Sequence, residues 1–204
     1  MKGLYAITPD VASTDALARM ATEALRGGVD FLQYRNKRAD AGLRREQAQM
    51  LLRVSRAANI PLIINDDVAL AAEIDADGVH VGRDDGEVAA ARRLLPGKLL
   101  GVSCYASLEI ARAAIADGAD HVAFGSVFAS GTKPGAQRAP LELFAHARSL
   151  GVPLVAIGGI TLDNTALVLA AGADCVAVIT DLFGAPDIAA RAALYRSLFE
   201  NNYA

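Results

Sequence analysis

Short apolar runs alternate with longer segments of helical pattern along the whole chain. The apolar runs are rich in Val, Ile, Leu and Phe and almost free of polar residues, which is typical of parallel strands buried on both faces. They predict eight strands, at Gly3–Ile7, Asp30–Tyr34, Pro61–Ile64, Gly78–Val81, Leu99–Ser103, His121–Gly125, Pro153–Ile157 and Cys175–Ile179. Segments rich in Ala, Leu, Arg and Glu predict helices of about three turns between them, at Asp15–Arg26, Leu43–Ala58, Glu87–Leu95, Ser107–Asp117, Pro140–Leu150, Asp163–Ala171 and Pro186–Phe199.

A weak internal repeat connects these elements. An Asp follows a helix exit and precedes a strand at Asp30, Asp77, Asp120 and Asp174, so every second strand begins in the same way. Eight strands alternating with helices in 204 residues predict an α/β fold, a single (β/α)8 TIM barrel near its minimum size, with one domain over residues 1–204. A doubly wound open sheet is the alternative, but it usually has fewer strands, and no GxGxxG follows the first run.

Composition narrows the classes of function. The chain is 53% hydrophobic and 21% charged, with a net charge of −3; this excludes a disordered chain and does not favour nucleic-acid binding. The apolar stretches are too short to span a membrane, and the N-terminus lacks a secretory pattern. Cys104 and Cys175 are far apart, without redox or metal-ligand spacing. We therefore expect a cytoplasmic protein with small-molecule partners, and the sequence leaves a homo-oligomer open.

The end of the second strand carries the first candidate chemistry, because reactive groups of a TIM barrel lie at the carboxyl ends of its strands. Gln33, Arg35 and Lys37 share one face there, and Tyr34 and Asn36 share the other. Buried neighbouring cations are unfavourable without an anion, and a diphosphate suits a guanidinium beside an ammonium. The alternative is that both cations form structural ion pairs with neighbouring loops.

Acidic residues follow the next two strands. Asp66 and Asp67 end the third strand, and Asp84 and Asp85 follow the fourth. Carboxylates on adjacent strand ends predict a magnesium site, because Mg²⁺ combines a few carboxylates with water and phosphate oxygens. For a single Asp, capping of the next helix is the stronger interpretation. Two acidic turns beside a cationic strand favour the metal.

The later strand ends predict further anion contacts. Ser103 either donates to a phosphate or caps a helix. The long loop after the sixth strand carries Ser130-Gly131-Thr132-Lys133 and is typical of an anion-binding loop, or of a plain surface loop. Gly158-Gly159 lets backbone N–H groups approach a phosphate after the seventh strand, where barrels often bind one. His80 and His121 lie inside predicted strands and are interpreted as packed core residues.

Taken in order, these segments resemble the thiamine-phosphate synthase (thiamine-phosphate pyrophosphorylase) family from the first strand to the last. Each motif is weak alone, but the ordered set is specific. The motifs are Gln33-x-Arg35-x-Lys37, Ile64-Asn65-Asp66, Gly78-Val79-His80-Val81-Gly82-x-x-Asp85, Gly101-Val102-Ser103, Phe124-Gly125-x-Val127-Phe128, Thr132-Lys133, Ala156-Ile157-Gly158-Gly159-Ile160 and Val176-Ala177-Val178. The chain departs from the common family pattern at Tyr34, Asn36, Tyr105, Ser130 and Thr180.

The resemblance implies a magnesium-dependent transferase of thiamine biosynthesis. It would join 4-amino-2-methyl-5-hydroxymethylpyrimidine diphosphate to 4-methyl-5-(2-hydroxyethyl)thiazole phosphate, giving thiamine phosphate and pyrophosphate. It further implies catalytic roles for Arg35, Lys37 and Lys133, magnesium binding by Asp66 and Asp85, and substrate binding by Gln33, Tyr34, Arg35, Asn36, Lys37, Asn65, Ser103, Ser130, Gly131, Thr132, Lys133, Gly158, Gly159, Ile179 and Thr180.

Three other functions stay open on the same barrel. They are a thiazole tautomerase, which would need an acid–base histidine at the rim, a phosphosugar isomerase, and a phosphate-binding barrel without catalysis. The cationic strand end together with Asp66 argues against the tautomerase, and a phosphosugar isomerase would not need the acidic and basic clusters. A barrel without catalysis would tolerate the loss of Asp66, Asp85 and Lys133, and all three are present. Magnesium-dependent release of pyrophosphate on mixing both substrates separates them.

Overall fold

Eight parallel strands close into a barrel in the computed structural model, which describes residues 1–82, 85–129 and 138–202. Each strand pairs with the next along the chain, and the eighth pairs with the first. The strands are β1 Gly3–Ile7, β2 Phe31–Tyr34, β3 Leu62–Asn65, β4 Gly78–Val81, β5 Leu99–Tyr105, β6 His121–Phe124, β7 Leu154–Ile157 and β8 Cys175–Val178. The predicted (β/α)8 barrel is confirmed, and the closed sheet excludes the doubly wound alternative.

Helices follow the strands and form the outer layer. They are α1 Thr14–Gly27, α2 Ala41–Ala57, α3 Val68–Glu73, α4 Val88–Leu94, α5 Leu108–Ala116, α6 Glu142–Ala147, α7 Leu162–Ala171, α8 Thr180–Phe183 and α9 Ile188–Asn202. Helices α3 and α8 are absent from the sequence prediction, because six and four residues are too few to show a helical period. In the described part of the chain, no helix is both long and apolar enough to cross a membrane.

Two apolar layers result from the alternation of side chains along each strand. Residues such as Leu4 and Ala6 of β1 face the helices and belong to the large outer core. Tyr5 and Ile7 point into the barrel, where they pack in a smaller cluster with residues from other strands. This inner cluster forms the floor below the carboxyl ends of the strands.

The four repeated aspartates close the opposite, amino-terminal end of the barrel. Each accepts the backbone N–H at the start of the preceding strand, with N···O distances of 2.8–2.9 Å for Leu4–Asp30, Leu62–Asp77, Leu100–Asp120 and Leu154–Asp174. These contacts join β1 to β2, β3 to β4, β5 to β6 and β7 to β8. The repeat is therefore a structural device that ties the strands together in pairs, away from the predicted site.

Candidate active site

A cavity of about 570 Å³ opens at the carboxyl ends of the strands. Most of the predicted site residues that the structure describes lie on its wall. They are Gln33, Arg35, Lys37, Asn65, Asp66, Asp85, Ser103, Gly158, Gly159, Ile179 and Thr180. Barrel closure therefore brings to one mouth residues that are far apart in the sequence.

Two predicted substrate contacts lie outside this cavity. Tyr34 and Asn36 are buried on the outer face of the β2 end, where both bond to the side-chain oxygen of Gln47 at 2.9 and 3.0 Å. The alternation of side chains that brings Arg35 into the cavity turns its two neighbours toward α2, so they hold the strand against the helix. Of the other predicted contacts, Ser130, Gly131, Thr132 and Lys133 lie outside the described residues.

The two cations that follow β2 are held in ion pairs. Arg35 Nη1 lies 3.1 Å from Asp10 Oδ1, and Lys37 Nζ lies 3.3 Å from Asp66 Oδ2. Thr8 Oγ1 accepts the Arg35 backbone N–H at 2.9 Å and donates to its carbonyl oxygen at 3.0 Å, which fixes this strand end. The structural ion pairs that the sequence left open are thus present. Asp66 lines the cavity and Asp10 lies in the loop after β1, so both pairs hold their cations at the carboxyl ends of the strands.

The two aspartates that follow β3 have different partners. Asp67 caps α3, since its Oδ1 accepts the N–H of Leu70 at 2.9 Å. Asp66 instead hydrogen-bonds the side chain of Asp85. Desolvation, and then the neighbouring Asp66, raise the pKa of Asp85, while the Gly82 N–H at 2.7 Å opposes this shift.

Two carboxylates in contact repel each other unless a proton or a cation lies between them. Among the described residues, no group of three or more His, Cys, Asp or Glu side chains could hold a metal ion. A pair of carboxylates suits Mg²⁺, which takes its remaining ligands from water and phosphate oxygens. Asp66 and Asp85 therefore fit the predicted metal, and Asp84 lies outside the described residues.

Hydrogen-bonded polar residues cover the floor of the cavity. Gln33 Nε2 donates to the Tyr5 hydroxyl at 2.7 Å, and His80 Nε2 lies 2.9 Å from Ser103 Oγ. His121 packs below His80 with ring centroids 5.7 Å apart, and burial lowers its pKa to about 3, so it is neutral. Tyr5 and His80 line the cavity without having been predicted to do so. Strand alternation was the available signal, since His80 lies between two outward-facing valines.

A glycine turn forms the opposite wall. Gly158 and Gly159 have φ angles of 99° and 63°, which L side chains rarely adopt. Asn164 on α7 donates to the Gly159 carbonyl oxygen at 2.9 Å and holds the turn. On the adjacent wall, Asp181 lies 3.0 Å from Arg191, which offsets its negative charge. Among the described residues that line this side of the mouth, the only carboxylate is therefore the paired one of Asp181.

A closed (β/α)8 barrel with cations, paired carboxylates and a glycine turn at one mouth defines the class of the protein. It is that of barrel enzymes that act on phosphorylated small molecules. A family model described as thiamine monophosphate synthase matches residues 4–182. The chain belongs to this family, and the predicted enzyme class, a transferase that forms thiamine phosphate in thiamine biosynthesis, is confirmed.

Individual relatives agree with this assignment. The chain is 56% identical over 202 residues to a thiamine-phosphate synthase of Aromatoleum aromaticum, covering 98% of this chain and 97% of the relative. It is also 56% identical over 200 residues to the enzyme of that name from Methylobacillus flagellatus, covering 98% and 96%. The solved structure of a thiamine phosphate pyrophosphorylase from Pyrococcus furiosus has a TM-score of 0.88 at 34% identity, covering 98% and 96%.

Proposed function

We propose that the protein joins the pyrimidine diphosphate and the thiazole phosphate at this mouth, with Mg²⁺ bound by Asp66 and Asp85. One observation carries the proposal: two cations and two touching carboxylates lie on one wall of the cavity, and a glycine turn lies on the other. The first wall suits a metal-bound diphosphate, and the second suits a phosphate monoester. A cytoplasmic location and a homo-oligomeric state stay predictions.

The cationic wall would bind the leaving group. Arg35 supplies a planar fork of donors and Lys37 a point charge, so together they can contact both phosphoryl groups of a diphosphate. Asn65 and Ser103 add neutral donors, and His80 fixes the position of the Ser103 hydroxyl. When bound, the metal would offset the charge that develops on the departing pyrophosphate.

The glycine wall would position the second substrate. Backbone N–H groups near Gly158 and Gly159 would hold the thiazole phosphate, with the hydroxyl of Thr180 and the backbone of Ile179 beside them. Ser130, Gly131, Thr132 and Lys133, which lie outside the described residues, complete the proposed set. The two phosphate sites at opposite walls would align the thiazole nitrogen with the reacting carbon.

The reaction then needs no protein nucleophile. The bond between the pyrimidine methylene carbon and the diphosphate oxygen breaks, and pyrophosphate leaves with the electron pair. The electron-rich aminopyrimidine stabilises the resulting cation, and the thiazole nitrogen forms the new C–N bond with its lone pair. Positioning and charge stabilisation therefore supply the catalysis, and alignment of two substrates can lower a barrier by roughly 7–11 kcal/mol.

The test is to mix both substrates with the purified protein and Mg²⁺, and to measure thiamine phosphate and pyrophosphate. We expect equal amounts of both products, loss of turnover in a chelator, and at least a 100-fold lower kcat for Asp66→Asn. The matched control is Asp117→Asn, an exposed carboxylate at the end of α5.

Unchanged turnover in the presence of a chelator would contradict the proposed requirement for Mg²⁺. Absence of both products would refute the reaction, and hydrogen-isotope exchange on the thiazole alone would instead identify the tautomerase.

A further inference from the structure

The short helix α8 begins on the wall of the reaction cavity, and its carboxylate is held by α9. Ile179, Thr180 and Asp181 line the cavity. Arg191 Nη1 lies 3.1 Å from Asp181 Oδ1 and 3.0 Å from Oδ2, and the Tyr195 hydroxyl donates to Oδ2 at 2.7 Å. Arg191 and Tyr195 are an i, i+4 pair, so they lie on the same face of α9. The Asp181 side chain is therefore fixed by two donors of one helix.

The Tyr195 hydroxyl is the buried donor of this group. Tyr195 is fully buried, and its burial, followed by the neighbouring Asp181, raises the pKa of the hydroxyl. The hydroxyl therefore keeps its proton at neutral pH and donates it to the carboxylate. Short hydrogen bonds from a hydroxyl to a carboxylate are among the strong ones in proteins, and shielding from solvent strengthens them further.

Tyr195 also contacts the helix that follows the glycine turn. Thr165 of α7 is fully buried and lies beside the Tyr195 hydroxyl. The Thr165 hydroxyl donates to the Thr161 carbonyl oxygen at 2.7 Å, where the chain passes from Gly158 and Gly159 into α7. Tyr195 thus connects the helices that follow β7 and β8, and each of these helices begins at a segment of the cavity wall.

The two donors of α9 also control the charge of Asp181. A free carboxylate on this wall would repel an incoming phosphate. Because both donors lie on α9, the carboxylate is bound toward that helix, and Arg191 offsets its negative charge. The contacts to Tyr195 and Arg191 therefore fix the first turn of α8 and keep the charge of Asp181 paired.

We propose that Tyr195 is a positioning residue for the phosphate of the thiazole substrate. It acts through Asp181, which holds the backbone of Ile179 and Thr180 at a fixed distance from the glycine turn. This role rests on the proposed function, in which the thiazole phosphate binds between these two segments. It goes beyond that function because Tyr195 belongs to the outer core and does not itself line the cavity.

The test compares Tyr195→Phe with Ser197→Ala in steady-state kinetics, with each substrate varied in turn. Tyr195→Phe removes only the hydroxyl. It should raise the KM for the thiazole phosphate roughly tenfold and leave the KM for the pyrimidine diphosphate within about twofold of its normal value. Ser197→Ala is the matched control, because it removes an exposed hydroxyl of the same helix that donates to the Ala193 carbonyl oxygen. It should leave both KM values unchanged.

A double-mutant cycle separates positioning from a general loss of structure. If Tyr195 acts through Asp181, Tyr195→Phe should add little to the effect of Asp181→Ala on the KM for the thiazole phosphate. If the alanine variant unfolds in a thermal scan, Asp181→Asn takes its place, because a neutral amide weakens the same hydrogen bond. Equal effects of Tyr195→Phe with and without the Asp181 carboxylate would overturn the proposal, and so would a parallel rise in both KM values.

Product formation by the unaltered protein tests the proposed function separately. If that protein forms no thiamine phosphate, the proposed function fails and the role of Tyr195 fails with it. If it forms thiamine phosphate, but Tyr195→Phe and Ser197→Ala have the same KM for the thiazole phosphate, only the role of Tyr195 is overturned.

Discussion

Replacing Gly159 by Ala should weaken binding of the thiazole phosphate at the glycine turn and leave binding of the pyrimidine diphosphate by Arg35 and Lys37 unchanged. A comparison of the two KM values tests this. An added Cβ would collide with the Ala129 carbonyl oxygen and would lie 2.9 Å from the Phe128 carbonyl carbon. Ordinary carbon contacts are about 3.5–4.0 Å, so the turn or the facing backbone must move by about 1 Å. A shift of that size lengthens a hydrogen bond beyond its useful range.

The magnitude follows from the contacts that the shift removes. A hydrogen bond to a charged group contributes about 1.5–3 kcal/mol, so loss of one phosphate contact should raise the KM for the thiazole phosphate roughly 10- to 100-fold. The KM for the pyrimidine diphosphate should change little, because Arg35 and Lys37 lie on the other wall. Steady-state kinetics with each substrate varied in turn measures both values.

Gly151→Ala is the matched control. Gly151 has a similar φ of 73°, but nothing lies within 4 Å of an added Cβ. It therefore carries the backbone strain of a left-handed alanine, about 1–2 kcal/mol, without the collision and far from the mouth. If Gly159→Ala and Gly151→Ala have the same KM for the thiazole phosphate, the glycine turn does not hold that phosphate.

Three further predictions concern other parts of the molecule. Asp77→Ala removes a charged acceptor from a strand N–H and should cost about 2 kcal/mol, lowering Tm by roughly 4–8 °C in a thermal scan; Glu87→Ala, which removes no capping bond, should leave Tm nearly unchanged, and equal shifts would contradict the tie between strands. Lys133→Ala should lower kcat by roughly two to three orders of magnitude with little change in Tm, and near-normal turnover would count against its assignment. Cys104 and Cys175 are buried, and desolvation raises both thiol pKa values, that of Cys104 to about 12; a thiol reagent at pH 8 should therefore react with neither until the chain is unfolded, and rapid reaction of the native protein would contradict this burial.

The barrel was predictable because its pattern is set by burial. Strands covered on both faces show as uninterrupted apolar runs, and only a few folds place eight such runs in about 200 residues. The side chains at the end of β2 could be assigned from strand alternation alone. Alternation puts Gln33, Arg35 and Lys37 on one face, and all three line the cavity. The same alternation argued against Tyr34 and Asn36, which only the family resemblance had suggested as substrate contacts.

What escaped the sequence depends on contacts between distant segments. Asp10 shows no signal of its own, because its role comes from barrel closure, which places it beside Arg35. The position of His80 in the cavity could have been predicted from strand alternation. A histidine between two valines fits a packed core equally well, however, and only the register of the strands places it in the cavity.

The ion pairs at the mouth have a consequence for the order of events. Lys37 and Asp66 neutralise each other at 3.3 Å in the ligand-free protein, so neither charge stands alone in a partly desolvated cavity. Under the proposed function, Lys37 exchanges this contact for the diphosphate, and Asp66 exchanges it for the metal. Each exchange would leave the other residue without its partner, so the two ligands should bind more tightly together than separately, and by linkage the coupling is equal in both directions. Asp10 gives Arg35 the same kind of partner at 3.1 Å, so an anion that binds Arg35 must compete with a carboxylate in the same way.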